Sequence, residues 1–116
     1  MNMNAHTDKG LRSLLSNYRH IQDNIGTYGM SMVENLCDID RALQSTILNA
    51  EENLIIHIVY LNSESDVPYT IRVMDVAKQL DLSVATVYRR IDKAIEKLLD
   101  YVTFGERFTV KYHFDN

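Results

Sequence analysis

Thr86, Arg89, Arg90, Lys93 and Lys97 recur at close to helical spacing and, on a helix, fall opposite its apolar arc. That set has the chemistry of a nucleic-acid reader. An arginine can donate two parallel hydrogen bonds to guanine, a threonine can bond a base or touch a thymine methyl, and a lysine binds phosphate as a point charge. Near the start of such a helix, Ser83, Ala85, Thr86 and Arg89 are the candidates for base edges, and Arg90 and Lys93 for the sugar-phosphate backbone. Lys97 prolongs the basic face, while Arg72, Lys78 and the Thr70 hydroxyl add phosphate contacts from the segment before it. The plain alternative is a solvated helix face, on which Asp92 and Glu96 pair with neighbouring cations.

Other chemistries find little support. The four histidines, His6, His20, His57 and His113, are scattered, and Cys37 is the only cysteine, so no metal site is expected. Asp38 with Asp40, and Glu51 with Glu52, fit solvated faces and a dipole-favoured first turn better than an acid-base pair. With no glycine-rich phosphate loop and no nucleophile elbow, neither an enzyme nor a cofactor is expected. Cys37 and the methionines Met30, Met32 and Met74 read as core residues, and His57 as a partly buried histidine with one hydrogen bond.

The elements that must position the basic set follow from periodicity. Val76, Ala77 and Leu80 predict a helix over 73–80. Val84, Val87, Ile91, Ala94, Ile95 and Leu98 predict a second over 84–99, with Ser83 as its N-cap. Only Asp81, Leu82 and Ser83 separate them, so the axes must cross steeply, and the small Ala77 permits close approach. This is the pattern of a helix-turn-helix.

Val76-Ala77-Lys78-Gln79-Leu80-Asp81-Leu82-Ser83, followed by Thr86-Val87-Tyr88-Arg89-Arg90 and Lys93-Ala94-Ile95-Glu96-Lys97-Leu98, resembles region 4 of sigma-70-type factors. It is also similar to phage late transcription regulators of the ArpU type. The resemblance covers residues 50–99 and departs from many helix-turn-helix sequences in carrying Asp81, not glycine, at the turn. It implies a preceding helix packed on the pair and a sequence-specific regulator of transcription, of phage or mobile-element origin, bound to double-stranded DNA. The separate promoter-melting and −10-reading regions of a complete sigma factor are absent. The runner-up is a helix-turn-helix scaffold that binds protein, docking on RNA polymerase or another host factor through acidic N-terminal helices.

The rest of the chain reads as helices over 11–23 and 30–48, a third over 51–61 capped by Asn49, and a polar loop over 62–69. A strand competes for 54–61, which is rich in β-branched residues. Alternation of Val102 and Phe104, then Phe108, Val110, Tyr112 and Phe114, predicts a β-hairpin over 101–116 that turns at Gly105. The expected fold is therefore mainly α, a helix-turn-helix with N-terminal helices and a short C-terminal β-hairpin, in one domain over 1–116 with a flexible tail at 1–9. Tyr88, at the edge of the buried arc, is expected to pack under the hairpin, with a hydrogen bond to a phosphate as the alternative.

Net charge is −4, an unusual sign for a nucleic-acid binder, but it is unevenly spread. Residues 1–69 hold four basic and nine acidic side chains, whereas 70–99 hold six and four. Affinity for DNA should accordingly be modest and salt-sensitive, and a homodimer on paired half-sites is expected to supply specificity. The longest apolar run, 54–61, is too short to cross a bilayer, residues 1–10 lack a secretory signal's apolar stretch, and one cysteine suits a reducing compartment. A cytoplasmic location is the expectation.

Overall fold

A computed structural model describes residues 4–61 and 66–104. Six α-helices follow in order among them: α1 (Asp8–Ser16), α2 (Tyr18–Asp23), α3 (Met30–Gln44), α4 (Ala50–Ile56), α5 (Tyr69–Leu80) and α6 (Val84–Phe104). A 3-10 turn at Ile25–Thr27 precedes α3, and a π turn at His57–Leu61 continues α4.

The amphipathic segment expected as one helix over 11–23 is two. Asn17 donates both its backbone amide, at 3.1 Å, and its side-chain amide, at 2.8 Å, to the Ser13 carbonyl where α1 stops. The tail is shorter than expected. Thr7 accepts from the Gly10 amide as N-cap of α1, and Ala5 is buried. Its return brings Asn4 so close to α1 that a Cβ on Gly10 would stand 2.0 Å from the Asn4 carbonyl oxygen. Helix α3 ends at Gln44, where Ser45 turns extended and donates its hydroxyl to Ala42, although Ile47 and Leu48 remain buried beyond it.

Asn49 caps α4 as expected and forms a full capping box with Glu52: each side chain accepts the other's backbone amide, at 2.8 and 2.9 Å. Ile55, Ile56, Val59 and Tyr60 are buried while Leu54 is exposed, so helical spacing prevails over β-branched composition here. Helix α5 starts directly after Pro68, earlier than expected, which places Thr70 and Arg72 on the helix itself. It ends in a left-handed Asp81 (φ 54°), whose successor Leu82 donates to the Ala77 carbonyl at 2.9 Å, a Schellman-type closure.

The C-terminal hairpin is overturned where it can be examined. Residues 101–104 continue α6, because Tyr101 falls on the buried face set by Ile91, Ile95 and Leu98, and no strand occurs among the described residues. The rest of the expected hairpin, residues 105–116, lies outside the described residues. Helix α6 is the centre of the fold, with α1, α3, α4 and α5 all packed against it.

Two substitutions probe this frame. Gly10→Ala should lower stability by about 1–3 kcal/mol, the scale of overpacking. Asp81→Val should cost about 1–2 kcal/mol as a β-branched residue forced left-handed, while Asp81→Gly is tolerated. Thermal melts followed by circular dichroism would show each as a displaced midpoint, about 4–8 °C per kcal/mol for a chain of this size.

Candidate nucleic-acid interface

The turn between α5 and α6 leaves the first turns of α6 facing solvent. Ser83 caps that helix: its Oγ accepts the Thr86 amide at 3.1 Å and its hydroxyl donates to Thr86 Oγ1 at 2.8 Å. Arg89 Nη2 then donates to the same Thr86 Oγ1 at 3.1 Å. Ser83, Thr86 and Arg89 thus form one hydrogen-bonded row, flanked by the exposed Ala85 and Lys93. Val84, expected in the core, is exposed beside Ser83 and adds an apolar group to this surface.

The basic residues divide by their angle around α6. Side chains advance by about 100° per residue, so Arg89 and Lys93 lie far from the buried arc of Val87, Ile91, Ala94, Ile95 and Leu98, whereas Arg90 and Lys97 lie at its edge. There they meet α4. Arg90 Nη1 donates to Glu51 Oε1, and Lys97 Nζ donates to Glu52 Oε1 at 2.8 Å. The second pair is largely removed from water, with side-chain exposures of 16% for Lys97 and 5% for Glu52.

Arg72 also turns inward. Its Nη1 donates to the carbonyl of Val59 in the π turn, at a helix end where carbonyls lack intrahelical donors, and its guanidinium lies 5.8 Å from the Tyr69 ring centroid. Thr70 and Lys78 remain exposed on α5. Of the ten residues singled out from sequence, Thr70, Lys78, Ser83, Ala85, Thr86, Arg89 and Lys93 are thus presented outward or along the open turn, and Arg72, Arg90 and Lys97 bind the scaffold.

Three contributions escaped the sequence reading. Arg12 of α1 donates to Asp8 at 2.8 Å and to Asp92 of α6 at 2.9 Å, so it neutralises a carboxylate beside the basic row. Partial burial alone would lower its pKa, but the hydrogen bonds to Asp92 and Asp8 raise it, and the guanidinium stays charged. Tyr88 packs on Tyr69 with ring centroids 6.2 Å apart, not under a hairpin, and Tyr69 lies 5.8 Å from Tyr60. Burial, then the hydrogen bond to Tyr60, pushes the Tyr69 phenol above its usual range, so Tyr69 stays neutral. An i,i+4 signal in the sequence links Arg12 to Asp8, but nothing there links either to Asp92.

Cys37 and Met74, read as core residues, are exposed, and Met30 is 72% exposed. His57 is half-buried with one hydrogen bond, to the Asn53 carbonyl. No three histidine, cysteine or acidic side chains gather into a metal-binding group among the described residues, and no helix there is long and apolar enough to cross a membrane. No family model, curated protein or solved structure matches the chain significantly.

The division of the basic residues is measurable in urea unfolding. Lys97→Met strands the buried Glu52 carboxylate and should cost about 3–5 kcal/mol, the range for breaking a buried pair. Arg90→Ala should cost about 1 kcal/mol or less, and Arg89→Ala and Lys93→Ala about 0.5 kcal/mol or less, as surface changes do.

Proposed function

We propose that the chain is a sequence-specific binder of double-stranded DNA that acts in transcription control, with the start of α6 in the major groove. The observation that carries this reading is the outward row Ser83, Thr86 and Arg89 on a capped helix start, with Lys78 and Lys93 exposed nearby. Arg89, held by Thr86, donates to a guanine edge, and Val84 and Ala85 meet thymine methyls. Lys78, Lys93 and Thr70 contact phosphates. Arg72, Arg90 and Lys97 support the reading helix from behind.

Lys78, Arg89 and Lys93 are few cations for a stable complex. The same proposal therefore includes a homodimer on paired half-sites, as in two-fold helix-turn-helix proteins. Two phosphate-neutralising lysines per subunit imply a slope of log affinity against log salt of about −2 per subunit. Docking on RNA polymerase through the acidic helices draws no support from the carboxylates named for it. Glu51 and Glu52 are engaged by Arg90 and Lys97, and Asp38 pairs with Arg41 at 3.8 Å.

Fluorescence anisotropy with duplexes tiled from DNA flanking the chain's own coding sequence, at two salt concentrations, tests the reading. Wild type should bind one site preferentially. Arg89→Ala should remove about 1–3 kcal/mol of discrimination at one base pair. Lys93→Ala should weaken all duplexes alike and reduce the salt slope by about 1. Weak binding that is equal on every duplex and unchanged by Arg89→Ala would overturn the proposal.

A further inference from the structure

On the side of the molecule formed by α2, α3 and the π turn lies a cleft of about 440 Å³, a volume within the usual range for small-molecule sites. The helix-turn-helix contributes nothing to its lining. Tyr18, Arg19, Gln22, Asp40, Gln44 and His57 supply its polar wall.

Only Tyr18 and Asp40 among these side chains bond each other. Tyr18 donates its hydroxyl to Asp40 Oδ1, which leaves Oδ2 for another donor. Burial, then that hydrogen bond and the Asp40 charge, pushes the Tyr18 phenol up, so it keeps the proton it donates. His57 Nδ1 lies 2.8 Å from the Asn53 carbonyl oxygen, which can only accept, so Nδ1 carries the proton and Nε2 keeps its lone pair when the ring is neutral. The side chains of Arg19, Gln22 and Gln44 make no hydrogen bond or ion pair with the described residues, and Arg19 and Asp40 form no pair although both line the cleft.

We propose that this cleft binds a small zwitterion of the α-amino-acid class, with its carboxylate at Arg19, its ammonium at Asp40 and an aliphatic side chain against Leu43 and Leu61. The charges decide the class. One guanidinium and one carboxylate face the same space, so their formal charges cancel. A phosphate would bring two negative charges toward Asp40, and a polyamine would bring its cations toward Arg19. A zwitterion satisfies both ends at once, and the amides of Gln22 and Gln44 can donate to or accept from its remaining polar atoms. The proposal is independent of DNA binding and is read on the chain alone.

Isothermal titration calorimetry of the full chain tests it, using leucine, isoleucine, valine and methionine, with leucine amide and N-acetylleucine as probes lacking one charge each. At least one free amino acid should bind saturably at one site per chain. Both blocked forms should bind about tenfold more weakly or worse, and Arg19→Ala should weaken the free amino acid by a similar factor. Arg19 is exposed, so the variant should melt like wild type, and Arg19→Lys should restore part of the affinity. No binding of any free amino acid at millimolar concentration overturns the proposal. So does binding that Arg19→Ala leaves unchanged, or that the amide equals.

Discussion

One apolar arc on α6 is the constraint on which the rest of the structure depends. Val87, Ile91, Ala94, Ile95 and Leu98 are all buried, and four other helices lie against that single helix. Burying the valine, isoleucine and leucine side chains among them contributes about 1.5–3 kcal/mol each, far more than any surface ion pair in the fold, so this arc sets the rotation of α6. Once the rotation is set, the position of each remaining residue around the axis decides its fate. Side chains opposite the arc can reach a partner molecule. Those at its edges must come to terms with α1 and α4.

This arrangement makes use of the acidic balance of the chain. Glu52 is both half of a capping box that starts α4 and the counterion of Lys97, so one buried carboxylate fixes a helix start and its partner helix together. Its burial would be costly if either role were missing, since a carboxylate out of water needs its hydrogen bonds and its counter-charge. Arg12 does the reverse for α6. It draws Asp92 toward α1 and so reduces the negative charge beside Arg89 and Lys93. Among the described residues five carboxylates, Asp8, Asp38, Glu51, Glu52 and Asp92, are thus counterions within the fold, while Arg89 and Lys93 take no part in those pairs.

Helix α5 is seated by a second set of contacts. The π turn presents the Val59 carbonyl to Arg72, and the rings of Tyr60, Tyr69 and Tyr88 run from that turn through α5 to α6. Neutral phenols can be packed in this way without the desolvation cost of a charge. The tight turn at Asp81 then needs to supply only direction, because both helices are already held from behind. A residue other than glycine is tolerated in the left-handed position for the same reason, and Asp is among the few side chains that accept it readily.

Periodicity in the sequence was enough to locate α3, α4, α5 and α6, the cap at Ser83, the capping Asn49 and the exposed row through Thr86 and Arg89, because these depend on neighbours within one or two turns. It erred where a local pattern had two solutions. Val102 and Phe104 alternate like a strand, yet Tyr101 continues the buried face of α6 and residues 101–104 stay helical. Asn17 looks ordinary in an amphipathic pattern, yet its side-chain amide joins its backbone amide on the Ser13 carbonyl, and α1 stops there. The sequence by itself therefore determined that the chain is mainly helical and that a short turn joins two helices, one of them basic. Only the tertiary structure decided which cations remain outside, since Glu51 and Glu52 are about 40 residues from Arg90 and Lys97 in the chain and meet them only when α4 packs on α6. A charge has the same type wherever it stands, but its availability depends on what lies within a few ångströms, and that is settled by packing between distant segments.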